Sequence, residues 1–157
     1  MLFRQILLNL QCLFKSMKTL FCPECNYPLT VVLKGDKIDE WKICPKCSVP
    51  SYVIVTPTGR SSVISLAEIV RDMRAHKYAI NALLYILKNG GAWLDDLQFN
   101  VGKLVEEDLS LLVDLHVLES SRAGKFFSIP DFLKKALAVQ LIKYVNKPEQ
   151  WLKELAW

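Results

Sequence analysis

The chain has 157 residues, 52% of them apolar and 23% charged, with a formal charge of +4. That content is too apolar for a disordered tail, and the length holds one ordinary domain or two small ones. So small a positive charge argues only weakly for a nucleic-acid partner.

Residues 1–16 place Phe3, Ile6, Leu7, Leu10, Leu13 and Phe14 at helical spacing with Arg4, Gln11 and Lys15 opposite, which predicts an amphipathic helix. Asn9 and Gln11 interrupt the run and no small-residue cleavage site follows, so it does not read as a signal peptide. It is also too short to span a bilayer, and no membrane partner is expected. Met17 is an alternative start, because Met17 to Phe21 leads directly into the next feature. Cys12 has no partner in the cysteine pattern and reads as a buried thiol.

Cys22-Pro23-Glu24-Cys25 is followed, eighteen residues on, by Cys44-Pro45-Lys46-Cys47. A two-residue spacer turns both thiols of a pair to one side of a tight knuckle, and two knuckles make a tetrahedron. Four thiolates with no open position describe one structural Zn²⁺ held by Cys22, Cys25, Cys44 and Cys47. An iron site of the rubredoxin kind uses the same ligands. It usually places Gly after the second Cys of each pair, where Asn26 and Ser48 stand here. A thioredoxin-like motif needs one pair in a βαβ setting, and disulfides need an oxidising compartment. A divalent ion on four thiolates adds −2 to the formal +4, leaving +2.

Between and after the knuckles, Leu29 to Leu33, Ile38 to Ile43 and Tyr52 to Val55 predict three short strands, with a turn at Lys34-Gly35-Asp36-Lys37. The order knuckle, hairpin, knuckle, strand resembles a zinc ribbon over about residues 20 to 58. A unit of this size has too little core to fold alone, so metal binding is expected to hold it.

Thr56 to Ser62 is a cluster of Pro, Gly and small polar residues, which predicts a domain linker, bounded at residues 59–64 in the domain division. Ser65-Leu66-Ala67-Glu68 has the form of a capping box. Leu66, Ile69, Val70 and Met73, then Ile80, Leu83, Leu84 and Leu87, keep helical phase as one helix or two, up to Gly90-Gly91. A short helix around Trp93 to Gln98, a turn at Asn100 to Gly102 and a helix from Lys103 to about Leu115 follow. The last of these buries Val105, Leu109, Leu112 and Val113. His116 suits a left-handed exit, and Val117 to Ser121 with Lys125 to Ile129 flank a turn at Arg122-Ala123-Gly124. Helix, helix, helix, hairpin resembles a winged helix-turn-helix.

Pro130 opens a further helix with Leu133, Leu137, Leu141 and Tyr144 on one stripe. A last turn carries Trp151, Leu152, Leu155 and Trp157, which either close the core or anchor a homodimer or a partner. The expected fold is therefore α+β. It comprises an N-terminal helix over 1–16, a three-stranded zinc ribbon over 17–58, a linker over 59–64, a winged helix-turn-helix over 65–129 and C-terminal helices over 130–157.

A winged helix ordinarily reads DNA with its third helix. Here the outward face of that helix carries Lys103, Glu106, Glu107, Ser110 and Asp114. From Ala92 to Ser120 seven acids stand against the single base Lys103, and phosphates would be repelled. The basic residues lie elsewhere: Lys34, Lys37, Lys42 and Lys46 on the ribbon, Arg71, Arg74 and Lys77 on the first helix, Arg122 and Lys125 on the wing. They predict backbone contacts to DNA, with Tyr27, Trp41 and Tyr52 suited to stacking a single strand. His76 and His116 sit near no nucleophile pattern. A solvated helix face explains Asp95, Asp96, Glu106, Glu107 and Asp108 more simply than a Mg²⁺ site, so no enzyme is expected.

Ribbon followed by winged helix resembles the small proteins of archaeal and eukaryotic transcription. The resemblance implies a zinc-dependent, DNA-binding, transcription-associated protein of the cytoplasm, working beside the transcription machinery or another protein. The alternative is a docking adaptor that meets its partner through Glu106, Glu107, Trp151 and Trp157.

Overall fold

In the computed structural model, which describes residues 4, 5, 17–147, 149 and 153, the chain separates into a unit ending at Ser65 and another starting at Leu66. Apart from Arg4 and Gln5, the helix expected over residues 1–16 lies outside the described residues, as does the last turn with Trp151 and Trp157.

The first unit is built from hairpins. Strand β1 (Met17–Phe21) runs antiparallel to β2 (Pro28–Val32), with Met17 opposite Val32 and Phe21 opposite Pro28. Strands β3 (Ile38–Ile43), β4 (Pro50–Val55) and β5 (Ser61–Ser65) form a second antiparallel sheet in the order β3-β4-β5. Alternation sets the faces of the first sheet: Leu20, Leu29 and Val31 are buried while Phe21, Thr30 and Val32 are exposed. The core is small, comprising Leu20, Val31, Ile38, Val53 and Val55 with Leu33 and Val63 against it. On Trp41, the Tyr52 ring packs edge-on, and its hydroxyl donates to Asp39.

Three strands were expected around the knuckles, and five are present in two sheets, because Met17–Phe21 and Ser61–Ser65 also pair. The segment over 59–64 is no free linker. Thr56 N–H donates to Arg60 O at 2.9 Å and closes a turn, and Ser61–Ser65 then hydrogen-bonds along β4. The physical reason is that β4 is a central strand, and its second backbone edge must be satisfied by a neighbour. Val63 and Ile64 supply the β-branched pair that a strand needs.

In the second unit the helical run divides into α1 (Leu66–Met73) and α2 (Ala79–Asn89). Gly90 caps α2 at φ 75°, in the left-handed region where a side chain would be strained. Strand β6 (Ala92–Trp93), α3 (Leu94–Asn100), α4 (Val105–Asp114), β7 (Glu119–Ser121), β8 (Phe126–Ser128), α5 (Asp131–Leu141) and a 3-10 turn (Ile142–Tyr144) follow. The expected hairpin thus gains a third strand, in the order β6-β8-β7, with Trp93 opposite Phe126. Leu83, Ile86, Leu97, Leu109, Leu112, Leu133, Leu137 and Leu141 are fully buried and supply most of the core.

Helix α4 ends in a doubly bonded cap. His116 N–H donates to Val113 O at 3.0 Å and Val117 N–H to Leu112 O at 3.0 Å, with His116 at φ 58°. Both hydrogen bonds satisfy carbonyls that a helix end leaves open, and the buried Leu112 and Val117 add the usual apolar contact. The protein is thus a mixed α and β structure with small antiparallel sheets. Among the described residues no helix is long and apolar enough to cross a membrane.

Candidate metal centre

The two knuckles are copies of one another. Cys-Pro-x-Cys-x-x-Pro occurs at Cys22–Pro28 and again at Cys44–Pro50, an offset of 22 residues, and each copy sits at the tip of a hairpin. Cys22 N–H donates to Tyr27 O at 2.9 Å and Asn26 N–H to Cys22 O at 2.8 Å. In the second copy, Cys44 N–H donates to Val49 O at 3.2 Å and Ser48 N–H to Cys44 O at 2.8 Å. Asn26 and Ser48 are left-handed, at φ 58° and 61°, the positions where a rubredoxin-type knuckle has Gly. The backbone therefore adopts the tight turn without glycine, and Asn is among the residues that tolerate it best.

This geometry brings the four thiols together. Cys22 Sγ lies 3.7 Å from Cys47 Sγ and Cys25 Sγ lies 3.5 Å from Cys44 Sγ, with all four within 4.8 Å of one another. Sulfurs about 2.3 Å from a tetrahedral ion stand about 3.8 Å apart. A disulfide would need about 2.05 Å, and the four cysteines are free. Cys22 and Cys44 are buried, Cys25 and Cys47 half-buried, and Leu29 with Val63 closes the apolar side. The cluster can hold a metal ion.

Its electrostatics point the same way. Burial pushes Cys47 up to about 12, helped by the neighbouring thiols and opposed by the Val49 N–H. Burial also opposes ionisation of Cys44, but the N–H groups of Cys47 and Lys46 and the adjacent thiols bring it down to about 7. Burial likewise raises Cys25, against the Tyr27 N–H. Four thiols so close share protons in the absence of a cation, and a cation reverses that balance by paying for every thiolate. The surrounding N–H groups fix the sulfurs from behind, as partners of metal ligands do. Ser65 Oγ–H donates to Glu24 Oε1 at 2.6 Å, which ties the first knuckle to β5.

No protein-family model, curated protein or solved structure matches the chain. Function must therefore be argued from its own residues.

Among the described residues the cysteines form the one group of three or more His, Cys, Asp or Glu side chains whose ligand atoms converge. The expected acidic face is partly reassigned. Asp108 is not a solvated surface carboxylate: Oδ2 accepts the Tyr78 N–H at 2.8 Å at the start of α2, and Oδ1 lies 3.5 Å from His76 Nδ1. Glu106 and Glu107 are exposed in the first turn of α4, where the helix dipole favours them.

The basic residues fall in both units and sit in different local settings. Lys34 and Lys37 flank the tight turn between β2 and β3, exposed, and Lys46 is exposed on the second knuckle. Lys42 is paired with Glu40 at 2.7 Å. Arg71 is exposed on α1. Arg74 lies 4.9 Å over the Tyr144 ring and lines a cleft of about 290 Å³ with His76, Lys77 and Asn81. At the β7–β8 turn, Arg122 lies 4.8 Å over the Trp93 ring and 5.4 Å over Phe126, with Lys125 exposed beside it. Sequence reasoning missed Trp93 as the platform under Arg122, since the cross-strand pairing of β6 with β8 is invisible in a linear pattern. It also missed Phe99 and Leu104, which are 90% and 72% exposed. The available signal was that Phe99 lies off the phase of Leu94 and Leu97.

Proposed function

We propose that the protein is a zinc-binding, transcription-associated DNA-binding protein, a zinc ribbon followed by a winged helix-turn-helix. In this reading Zn²⁺ sits on Cys22, Cys25, Cys44 and Cys47 and serves structure alone, because a closed set of four thiolates leaves no position for water or substrate. The ion makes the ribbon fold and does no chemistry.

The observation that carries the DNA reading is the tip of the β7–β8 hairpin. Arg122 and Ala123 are both left-handed, at φ 53° and 58°, a backbone that non-glycine residues adopt at a cost. That turn lays the guanidinium on Trp93 and Phe126, while Lys125 stands exposed next to it. A stacked guanidinium keeps its N–H edges free for phosphate oxygens and loses little freedom on binding. With Glu106, Glu107 and Asp114 facing outward, α4 is repelled by phosphate, so the wing is the contact of this unit.

Binding measured against salt tests this. Affinity for duplex DNA should fall with log salt by about 0.9 per phosphate neutralised. Changing Arg122 and Lys125 together to Ala should lower that slope by up to about two and weaken all sequences alike. Absence of binding to duplex or single-stranded DNA at low salt would end the DNA reading. The docking adaptor is the second reading, favoured by the exposed Phe99 and Leu104 beside Glu106 and Glu107.

A further inference from the structure

We propose that the corner between α3 and α4 docks a short basic segment of a protein partner, one whose apolar side chains are flanked by Lys or Arg. The inference deepens the docking reading and is independent of the wing. Phe99 and Leu104 have the highest exposures of the large apolar side chains described, 90% and 72%. Single exposed apolar residues are ordinary, but these two flank one turn, Asn100 to Leu104, and lie on helices whose buried faces are already filled by Leu97, Leu109 and Leu112.

The chemistry of the rim selects the partner. Phe99 follows Asp95 by one helical turn and shares the outward arc of α3 with Asp96, opposite the buried Leu97. Leu104 immediately precedes the first turn of α4 with Glu106 and Glu107. All four carboxylates are exposed, and none takes part in an ion pair among the described residues; Lys103, in their midst, pairs with none of them. The helix dipoles account for acids at these two N-termini but not for the bare Phe and Leu between them. Exposed apolar side chains that share two helix ends with four exposed carboxylates are complementary to a basic segment with apolar anchors, and they disfavour nucleic acid.

The corner is also held in place. A Cβ at Gly102 would come within 2.5 Å of Tyr78 Cε1, so the turn lies directly on that ring, and Asp108 of α4 fixes the Tyr78 N–H. Phe99 and Leu104 are thus presented from a built scaffold, which lowers the ordering cost of binding.

The test uses the full metal-loaded chain and two fluorescent synthetic peptides with the same Leu and Trp anchors, one interspersed with Lys and one with Glu, read by anisotropy. The Lys peptide should bind, weaken with salt, and lose at least about tenfold affinity in Phe99→Ser and in the Glu106→Lys, Glu107→Lys pair. Phe99→Ser should keep the parent's melting temperature, and the Glu106→Lys, Glu107→Lys pair should melt slightly lower because it gives up the favourable helix-dipole contacts. Arg122→Ala with Lys125→Ala should leave peptide binding unchanged, and Phe99→Ser should leave any DNA binding unchanged, so either reading can fail without the other. Equal binding of both peptides, or Lys-peptide binding indifferent to Phe99→Ser, would overturn the proposal. So would self-association of the parent that Phe99→Ser abolishes, since the corner would then join two copies of this chain.

Discussion

The two units solve the same problem with different means. Of the twelve largest fully buried side chains among the described residues, ten lie in the unit that starts at Leu66, and Val31 and Val53 lie in the cysteine unit. The helical unit therefore has apolar burial enough to fold around its leucines. The cysteine unit does not, and its two hairpins converge on four sulfurs instead. A small unit of this kind needs a cross-link or a metal, and free thiols 3.5 and 3.7 Å apart form a cluster that can hold a metal ion.

The largest expected effect follows from that difference. Cys44→Ser should abolish metal binding and unfold β1 to β5, since structural zinc supplies about 10–16 kcal/mol to such units. The helical circular-dichroism signal should persist; its complete loss would show that the second unit depends on the first. Elemental analysis of the parent should find close to one zinc per chain, and iron would refute the zinc assignment. Acid should mimic the substitution. Cys47, pushed up to about 12, and Cys25, also raised, must give up protons to bind a cation, so metal affinity falls as pH drops and uptake releases protons.

The converse break is Leu109→Ala. It removes a fully buried side chain of α4 and should cost the helical unit about 2–5 kcal/mol while metal content stays unchanged. Metal loss in that variant would contradict the separation of the two units.

A smaller effect sharpens the account of the corner. Gly102→Ala places a methyl against the Tyr78 ring and should destabilise by about 1–3 kcal/mol. Combining it with Tyr78→Leu should recover part of the loss in a double-mutant cycle; simple additivity would mean that the two residues do not press on each other.

The smallest effect has the opposite sign. Ser51 Oγ is fully buried in β4 and has no hydrogen-bond partner among the described residues. Ser51→Ala should therefore stabilise the cysteine unit by about 1 kcal/mol, read as a raised unfolding midpoint in the metal-loaded protein.

Some features were legible in sequence because they rest on local rules. The cysteine spacing alone marked the four thiols that the fold gathers, since each pair needs only one tight turn and the turn needs only its own backbone. The phase of Val105, Leu109 and Leu112 gave the buried face of α4, and Gly90 and His116 marked helix ends at φ 75° and 58°. Strand β5 was not legible. Ser61, Ser62 and Ser65 resemble loop residues, and what makes them a strand is the open edge of β4, a partner with no signature inside the segment itself.

What the sequence determined by itself was the chemistry of short range: which atoms can bind a metal, which helix face is apolar, where a helix must stop. The tertiary structure decided everything that depends on two distant segments meeting. It paired Trp93 with Phe126 under Arg122, brought Asp108 to the Tyr78 N–H, and left Phe99 and Leu104 facing outward. The physical reason is that burial and hydrogen bonding at these positions depend on what packs opposite them. A one-dimensional pattern gives a residue its possible faces, and only the folded chain chooses which one is covered.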